Sequence, residues 1–264
     1  MAALKLRVLV ADDSSVIHNF FADVAETSPI PIDIIKAVDG RQAIDSLNGG
    51  GINVAFVDVN MPEMSGMEAV GAARQVGLKT FVALMSGQTN QQRLQIARQL
   101  KVYEYLSKPV TAAAVHDILR TYCRVTVPTR VLIVDDSATV RRIISRVLAN
   151  SIFNIDVTEA GDGRTALDHC VSGEFDAIFL DCNMPGLDGL ETLERMLEID
   201  PSVRVIMNSS ERNEEKTRWA LQRGAVAFLH KPFYAADIDR ELHAVFGLKM
   251  PMLGNADEQD GRAA

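Results

Sequence analysis

Two stretches of sequence, 123 residues apart, decide the fold: residues 7–14 read RVLVADDS and residues 130–137 read RVLIVDDS. Each is an apolar run, rich in β-branched residues, that ends in two adjacent aspartates. An apolar run without internal polar residues is typical of a central parallel strand that is covered on both faces. We therefore predict one buried strand in each stretch, with its carboxyl end at the aspartates.

The same offset of 123 residues relates further motifs, and no gap is needed between them. The pairs are DGR at 39–41 and 162–164, Asp58 and Asp181, NMP at 60–62 and 183–185, Ser86 and Ser209, and Lys-Pro at 108–109 and 231–232. Surface loops tolerate insertions at small cost, so this equal spacing indicates two copies of one domain. Solenoid repeats have periods of about 20–50 residues, which excludes that class.

Within the first copy, short β-branched runs alternate with segments of helical periodicity. Strands are predicted at 7–11, 32–37, 54–58, 80–86 and 103–107, and helices at 14–27, 41–47, 67–75, 90–100 and 111–123. This alternation predicts a parallel sheet with helices on both faces. The fold class is α/β, with two doubly wound five-stranded parallel-sheet (flavodoxin-like) domains in tandem. We place them at 1–123 and 129–246, with a linker at 124–128 and a polar tail at 247–264.

Composition excludes several classes of function. Acidic residues outnumber basic ones by 35 to 27, and the net charge of −8 disfavours binding to nucleic acid or to an anionic membrane. The cysteines at 123, 170 and 182 form no CxxC pair, so we expect neither a disulfide framework nor a zinc site. We find no apolar stretch of about 18 residues that would span a membrane, and we expect a cytoplasmic protein.

Polar residues interrupt the apolar pattern at the carboxyl ends of the predicted strands. These ends share one rim of a doubly wound sheet, so the side chains should converge. The sets are Asp12, Asp13, Asp58, Ser86 and Lys108 in the first copy and Asp135, Asp136, Asp181, Ser209 and Lys231 in the second. Helix capping is an alternative explanation for the acid pairs. It does not explain why a serine and a lysine recur at the same places.

This combination of residues predicts metal-assisted phosphoryl chemistry. Three crowded carboxylates repel one another unless a cation offsets them. The candidate ligands are all oxygens, which favours Mg²⁺, with Mn²⁺ as an alternative, over zinc. One carboxylate can then act as a nucleophile that forms an aspartyl phosphate. The serine hydroxyl and the lysine can stabilise the phosphoryl oxygens.

With these motifs, each copy resembles the receiver domain of bacterial two-component response regulators, over about residues 4–123 and 127–246. The resemblance implies that Asp58 and Asp181 accept phosphate from the phosphohistidine of a histidine kinase. It implies Mg²⁺ ligands at Asp12, Asp13, Asp58 and the Asn60 carbonyl, and at Asp135, Asp136, Asp181 and the Asn183 carbonyl. It assigns Lys108 and Lys231 to the phosphate, Ser86 and Ser209 to the switch hydroxyl, and Tyr105 and Phe228 to the aromatic switch position.

Two differences between the copies stand out within this resemblance. The first copy has Lys101-Val102 where the second has Gly224-Ala225, so a side chain stands at a position that often needs a positive φ. The residues that tune self-dephosphorylation in the family are Asn60 and Gln88 in one copy and Asn183 and Glu211 in the other. The second pair resembles single-domain chemotaxis receivers and implies short-lived phosphorylation.

We compared three classes of function. A non-enzymatic signalling protein would take phosphate from a histidine kinase and contact a downstream protein target or a histidine phosphotransferase; a phosphorelay intermediate or a phosphate sink is an alternative within this class. A haloacid dehalogenase-type phosphohydrolase needs an Asp-x-Asp pair after its first strand and a cap insertion, which the sequence lacks. A nucleotide-binding module needs glycines there instead of Asp12 and Asp13. The sequence therefore favours the signalling protein.

Overall fold

The computed structural model describes residues 5–253, and its chain divides into two α/β units. Among the described residues, the first unit comprises 5–122 together with 249–253, and the second is Cys123–Leu248. Both have an all-parallel five-stranded sheet with helices between consecutive strands. The predicted fold class is confirmed. No helix among residues 5–253 is long and apolar enough to cross a membrane.

The first unit has the strand order β2-β1-β3-β4-β5. Its strands are β1 Leu6–Ala11, β2 Ile32–Ala37, β3 Val54–Asp58, β4 Phe81–Ser86 and β5 Glu104–Ser107. Its helices are α1 Ser15–Thr27, α2 Gly40–Asn48, α3 Gly66–Gln75, α4 Gln91–Gln99 and α5 Ala112–Thr126. The central strand β3 is buried along its whole length, as expected for an apolar strand with helices on both faces.

The second unit repeats this order as β7-β6-β8-β9-β10. Its strands are β6 Thr129–Val134, β7 Ile155–Ala160, β8 Ala177–Asp181, β9 Val205–Ser209 and β10 Ala227–His230. Its helices are α6 Ala138–Leu148, α7 Gly163–Ser172, α8 Gly189–Ile199, α9 Glu214–Gln222 and α10 Ala235–Val245. Strand β1 pairs with β2 on one side and with β3 on the other, and β6 pairs in the same way with β7 and β8. The strand order therefore reverses at β1 and at β6.

Helix α5 is longer than the sequence pattern predicts. We expected it to end at residue 123, ahead of a linker at 124–128, but it continues to Thr126. The residues that follow Cys123 are compatible with a helix, and the first strong helix breaker is Pro128. Val125 is buried, and its carbonyl accepts a hydrogen bond from the Asn154 N–H; both residues belong to the second unit, so the helix that begins in the first unit ends in the second. Residues 124–126 are therefore ordered parts of a helix.

The positive φ expected after the fourth helix is present in both units, so Lys101 places a side chain in a left-handed conformation. Lys101 has a φ of 51°, in the left-handed region, and Gly224 occupies the same place in the second unit with a φ of 103°. Both residues follow the last turn of a helix, where such a conformation reverses the chain toward the next strand. The first unit makes this turn with a side chain, which costs more conformational energy than glycine does.

Candidate functional site

The predicted site residues of the first unit lie at the carboxyl rim of the sheet. Asp12 follows β1, Asp58 ends β3, Ser86 ends β4, and Lys108 follows β5 directly. Asp12, Asp58 and Ser86 are buried. The Lys108 N–H donates to the Ser86 carbonyl at 2.8 Å, which fixes the lysine backbone beside the serine. The parallel sheet thus brings together residues that are almost 100 positions apart in the sequence.

Lys108 bridges two of the three aspartates. Its Nζ lies 2.7 Å from Asp12 Oδ2 and 3.0 Å from Asp58 Oδ1. The other Asp12 oxygen, Oδ1, accepts the Ser14 N–H at 2.9 Å, so this carboxylate is oriented by both the lysine and the start of α1. The lysine reaches the acceptor candidate Asp58 from the rim, where it can also contact a group attached to that carboxylate.

Burial and neighbouring charge shift the pKa values of Asp58 and Lys108 in opposite directions. Burial raises the pKa of Asp58, and the neighbouring Asp12 adds to the increase, whereas Lys108 opposes it. Burial alone would lower the pKa of Lys108, but its bonds to Asp12 and Asp58 outweigh that effect and raise it. The lysine is therefore held as a cation between two carboxylates, as a counter-ion for additional negative charge should be.

The loop after the acceptor strand packs closely on the acceptor residue. A Cβ placed on Gly66 would lie 2.0 Å from the Asp58 carbonyl oxygen, and one on Gly189 would lie 2.1 Å from that of Asp181. The Gly66 N–H donates to the Val59 carbonyl at 3.1 Å. Each helix begins so close to the acceptor strand that only glycine fits at its first position.

The second unit reproduces the lysine bridge. Lys231 Nζ lies 2.7 Å from both Asp135 Oδ2 and Asp181 Oδ1. The Asn183 N–H donates to Asp181 Oδ2 at 3.0 Å. Burial raises the pKa of Asp181 against the opposing effect of Lys231. Both copies therefore hold a buried aspartate at the end of the central strand whose carboxylate is bound by a lysine that follows the edge strand.

The acidic residues of the first unit fit a divalent metal ion. Asp12, Asp13 and Asp58 each offer a carboxylate oxygen, and these oxygens lie within 4.8 Å of one another. Asp13 is exposed whereas the other two are buried, so the cluster opens to solvent on one side. Hard oxygen donors with room for water suit Mg²⁺. Within residues 5–253, Asp135, Asp136 and Asp181 do not form a cluster that meets the same distance limit.

The switch candidates of the first unit meet at one carbonyl. Ser86 Oγ donates to the Gln88 carbonyl at 2.8 Å, and the Tyr105 hydroxyl donates to the same oxygen at 3.1 Å. Tyr105 is fully buried. The serine and the aromatic residue are therefore linked through the backbone of the loop between β4 and α4.

The second unit differs at the aromatic position. Ser209 is buried and its Oγ accepts the Glu211 N–H at 3.1 Å. Phe228 is only half-buried, and its ring lies 5.1 Å from that of His230. Phenylalanine has no hydroxyl to donate to a loop carbonyl, so the link seen at Tyr105 cannot form there.

Sequence analysis missed a basic residue beside each site. Arg93 donates to Ser86 Oγ, to the Gln88 carbonyl and to Asn60 Oδ1 at 3.2–3.3 Å. Lys216, at the same place in the second copy, donates to Asn183 Oδ1 at 3.1 Å and to Glu211 Oε2 at 2.7 Å. The offset of 123 residues also relates these two cations, a signal that could have identified them.

Comparison with known protein families assigns both units. The family model described as the response regulator receiver domain matches residues 8–120 and 131–243. Since these matches cover most of the chain, the protein belongs to the response regulator receiver domain family. It carries two such domains in tandem, and this result confirms the resemblance inferred from the sequence motifs.

Individual relatives agree with this assignment. The chain is 37% identical over 120 residues to the chemotaxis protein CheY-3 of Vibrio cholerae, which covers 44% of this chain and 91% of that protein. It is 37% identical over 111 residues to protein-glutamate methylesterase/protein-glutamine glutaminase 1 of Paramagnetospirillum magneticum, which covers 41% of this chain but only 29% of that protein. The match to the methylesterase therefore spans less than a third of its length.

One solved structure matches most of the chain in fold. It is described as a two-component system response regulator/ggdef domain protein and has a TM-score of 0.61. The match covers 92% of this chain and 100% of that one at 22% sequence identity. At this level of identity the comparison shows the fold alone.

Proposed function

We propose that both domains are phosphoacceptors, with Asp58 and Asp181 taking a phosphoryl group from the phosphohistidine of a histidine kinase. The observation that supports this most is the lysine bridge, in which Lys108 and Lys231 bind the buried acceptor carboxylates at 3.0 and 2.7 Å. A cation in this position can pair with the phosphoryl oxygens after transfer.

In the proposed reaction an Oδ atom of the aspartate attacks phosphorus and forms the new P–O bond. The P–N bond of the phosphohistidine breaks, its electron pair stays on the imidazole nitrogen, and that nitrogen takes up a proton. Lys108 or Lys231 stabilises the oxygens of the transferred group, and Ser86 or Ser209 donates its hydroxyl to one of them. In a separate hydrolysis step, water attacks the phosphorus and loses a proton, the P–O bond to the aspartate breaks, and the free carboxylate and inorganic phosphate result.

The acidic residues are proposed to hold Mg²⁺. In the first domain the ligands would be Asp12, Asp13, Asp58 and the Asn60 carbonyl, and in the second Asp135, Asp136, Asp181 and the Asn183 carbonyl. The ion would neutralise charge on the phosphoryl oxygens and on the crowded carboxylates. The oxygen cluster of the first domain supports this assignment.

The proposed output is a change in protein–protein contact, with a downstream protein target or a histidine phosphotransferase as the partner. The domains supply no enzymatic step beyond their own phosphorylation and dephosphorylation. The net charge of −8 supports a role without nucleic-acid or membrane binding, and three cysteines without a CxxC pair support a location in the reducing cytoplasm.

The proposal is tested with acetyl phosphate as the phosphoryl donor and intact-mass measurement of the full chain. We expect a Mg²⁺-dependent phosphoryl adduct that EDTA abolishes and that the double variant Asp58→Asn/Asp181→Asn does not form. Phosphorylation of the double variant at the wild-type level would contradict the assignment of both acceptors.

A further inference from the structure

The residues at 249–253 pack on the first domain, although they follow the second domain in the sequence. The Leu253 side chain is only 6% exposed. It belongs to the buried apolar cluster of the first domain, which includes Ala97 of α4, Val102 and Tyr105 of β5. An apolar side chain at this position removes surface from water at the edge of the sheet.

Polar contacts hold the backbone of this segment. The Met252 N–H donates to Glu104 Oε1 at 3.0 Å, and the Tyr103 hydroxyl donates to the Lys249 carbonyl at 3.4 Å. Arg98 Nε of α4 donates to the Leu253 carbonyl at 3.4 Å. Since β5 is an edge strand, the segment covers a part of the sheet that no further strand protects.

Glu104 is a feature of the first domain alone. It is buried, and its Oε1 also accepts the Tyr105 N–H at 2.8 Å. The second domain has Ala227 at the same place. A buried carboxylate is costly unless N–H donors surround it, and the segment supplies one of the two donors that bind this oxygen. The Glu104 carboxylate therefore provides a binding position for the segment.

This binding position at Glu104 lies next to the switch residues. Tyr105 contacts Glu104 through its N–H and the Gln88 carbonyl through its hydroxyl. In the proposed function Ser86 turns its hydroxyl to the phosphoryl group and no longer donates to Gln88. The buried Tyr105 then remains a donor to that carbonyl, so an inward Tyr105 suits the phosphorylated domain.

We propose that residues 249–253 are an intramolecular peptide ligand of the edge formed by α4 and β5, and that their docking favours phosphorylation of Asp58 by keeping Tyr105 buried. This inference rests on the proposed function of Asp58. Because coupling between two sites is reciprocal, phosphorylation also tightens docking of the segment. A downstream peptide that binds the same edge competes with the segment.

The test uses full-length protein carrying Asp181→Asn, so that only the first domain binds beryllofluoride and Mg²⁺. Two variants release the segment in different ways: Leu253→Ser removes the apolar anchor, and Glu104→Ala installs the residue found in the second domain. Leu221→Ser, at an exposed leucine of α9, is the matched control. Hydrogen exchange of residues 249–253 reports docking, and fluorine-19 resonances report bound beryllofluoride.

We expect faster exchange at residues 249–253 in both test variants, unchanged exchange in β1 and β3, and about fivefold or greater loss of beryllofluoride affinity. The control should match the parent. Unchanged affinity with a released segment would overturn the proposed coupling, and unchanged exchange would overturn docking itself. If the parent protein binds no beryllofluoride, the proposed function fails as well, so the two failures are distinguishable.

Discussion

Arg93 and Lys216 occupy the same place in the two domains, and each donates a hydrogen bond to the asparagine that lies two residues after the acceptor aspartate. Among residues 5–253, only the second cation has an acidic partner, because Lys216 also binds Glu211 at 2.7 Å whereas position 88 is a glutamine. The two acceptor sites therefore carry different charge at the rim, where water must approach an aspartyl phosphate.

Removing either cation should shorten the lifetime of the phosphoryl group in its own domain. Arg93→Ala or Lys216→Ala removes hydrogen bonds that cover the rim, and we expect hydrolysis about tenfold faster, the equivalent of one charge-assisted hydrogen bond. Lifetimes are measured in Asp181→Asn and Asp58→Asn backgrounds, with Arg218→Ala as the control at an exposed position of α9. Equal lifetimes in variant and control would show that these cations do not shield the site.

Mg²⁺ binding to the second domain should change the fluorescence of Trp219. This is the only tryptophan, and it lies in α9 one turn after Lys216, which contacts Asn183 beside the proposed metal site. Asp136→Ala removes a proposed ligand, so the response should need at least about tenfold more Mg²⁺. Asp13→Ala, the matching change in the first domain, should leave the titration unchanged. Equal midpoints in wild type and Asp136→Ala would contradict the assignment.

Asp239 should make the stability of the second domain depend on pH. Burial raises the pKa of Asp239 to about 6, even though its Oδ1 accepts hydrogen bonds from Ser151 and Ile152. Between the ordinary value of 3.8 and about 6 the folded state binds more protons than the unfolded state, so stability falls as pH rises through this range.

The matched comparison for Asp239 is Asp239→Asn, which keeps an acceptor oxygen but does not titrate. We expect wild type to lose stability relative to this variant between pH 4 and 6, by at most about 3 kcal/mol. Urea unfolding followed by Trp219 fluorescence reports the second domain. A stability difference that stays constant over this range would contradict the raised pKa.

The turn after the fourth helix predicts opposite effects of substitution in the two domains. Lys101→Gly relieves a left-handed conformation and should stabilise the first domain by up to about 1 kcal/mol. Gly224→Ala should destabilise the second domain, because its φ is 103° and the new Cβ would lie 2.7 Å from Leu197 Cδ1. Hydrogen exchange of β3 and β8 measures each domain separately. Stabilisation by Gly224→Ala would show that the turn is not strained.

The sequence predicted the sheet and its rim because both follow from short-range rules. Apolar runs locate the central strands, and parallel pairing brings Asp12, Asp58 and Lys108 to one edge whatever the details of packing. The repeat added a second constraint, since the same polar set of aspartates, serine and lysine recurs at the ends of the equivalent strands in both copies.

Other features depend on tertiary contacts that no local pattern encodes. The extension of α5 to Thr126 is accompanied by a contact between Val125 and Asn154, which are far apart in sequence. The burial of Leu253 depends on an apolar cluster that is assembled from several other elements. The reach of Arg93 and Lys216 to the rim depends on side-chain conformation, which the spacing of charged residues does not reveal.

We propose that each domain carries one complete phosphoacceptor site. The most direct test of this proposal is titration of the full chain with beryllofluoride and Mg²⁺, counting bound equivalents by fluorine-19 resonance in wild type, Asp58→Asn, Asp181→Asn and the double variant. We expect two equivalents in wild type, one in each single variant and none in the double variant. A single equivalent in wild type, or complete loss in either single variant, would contradict it.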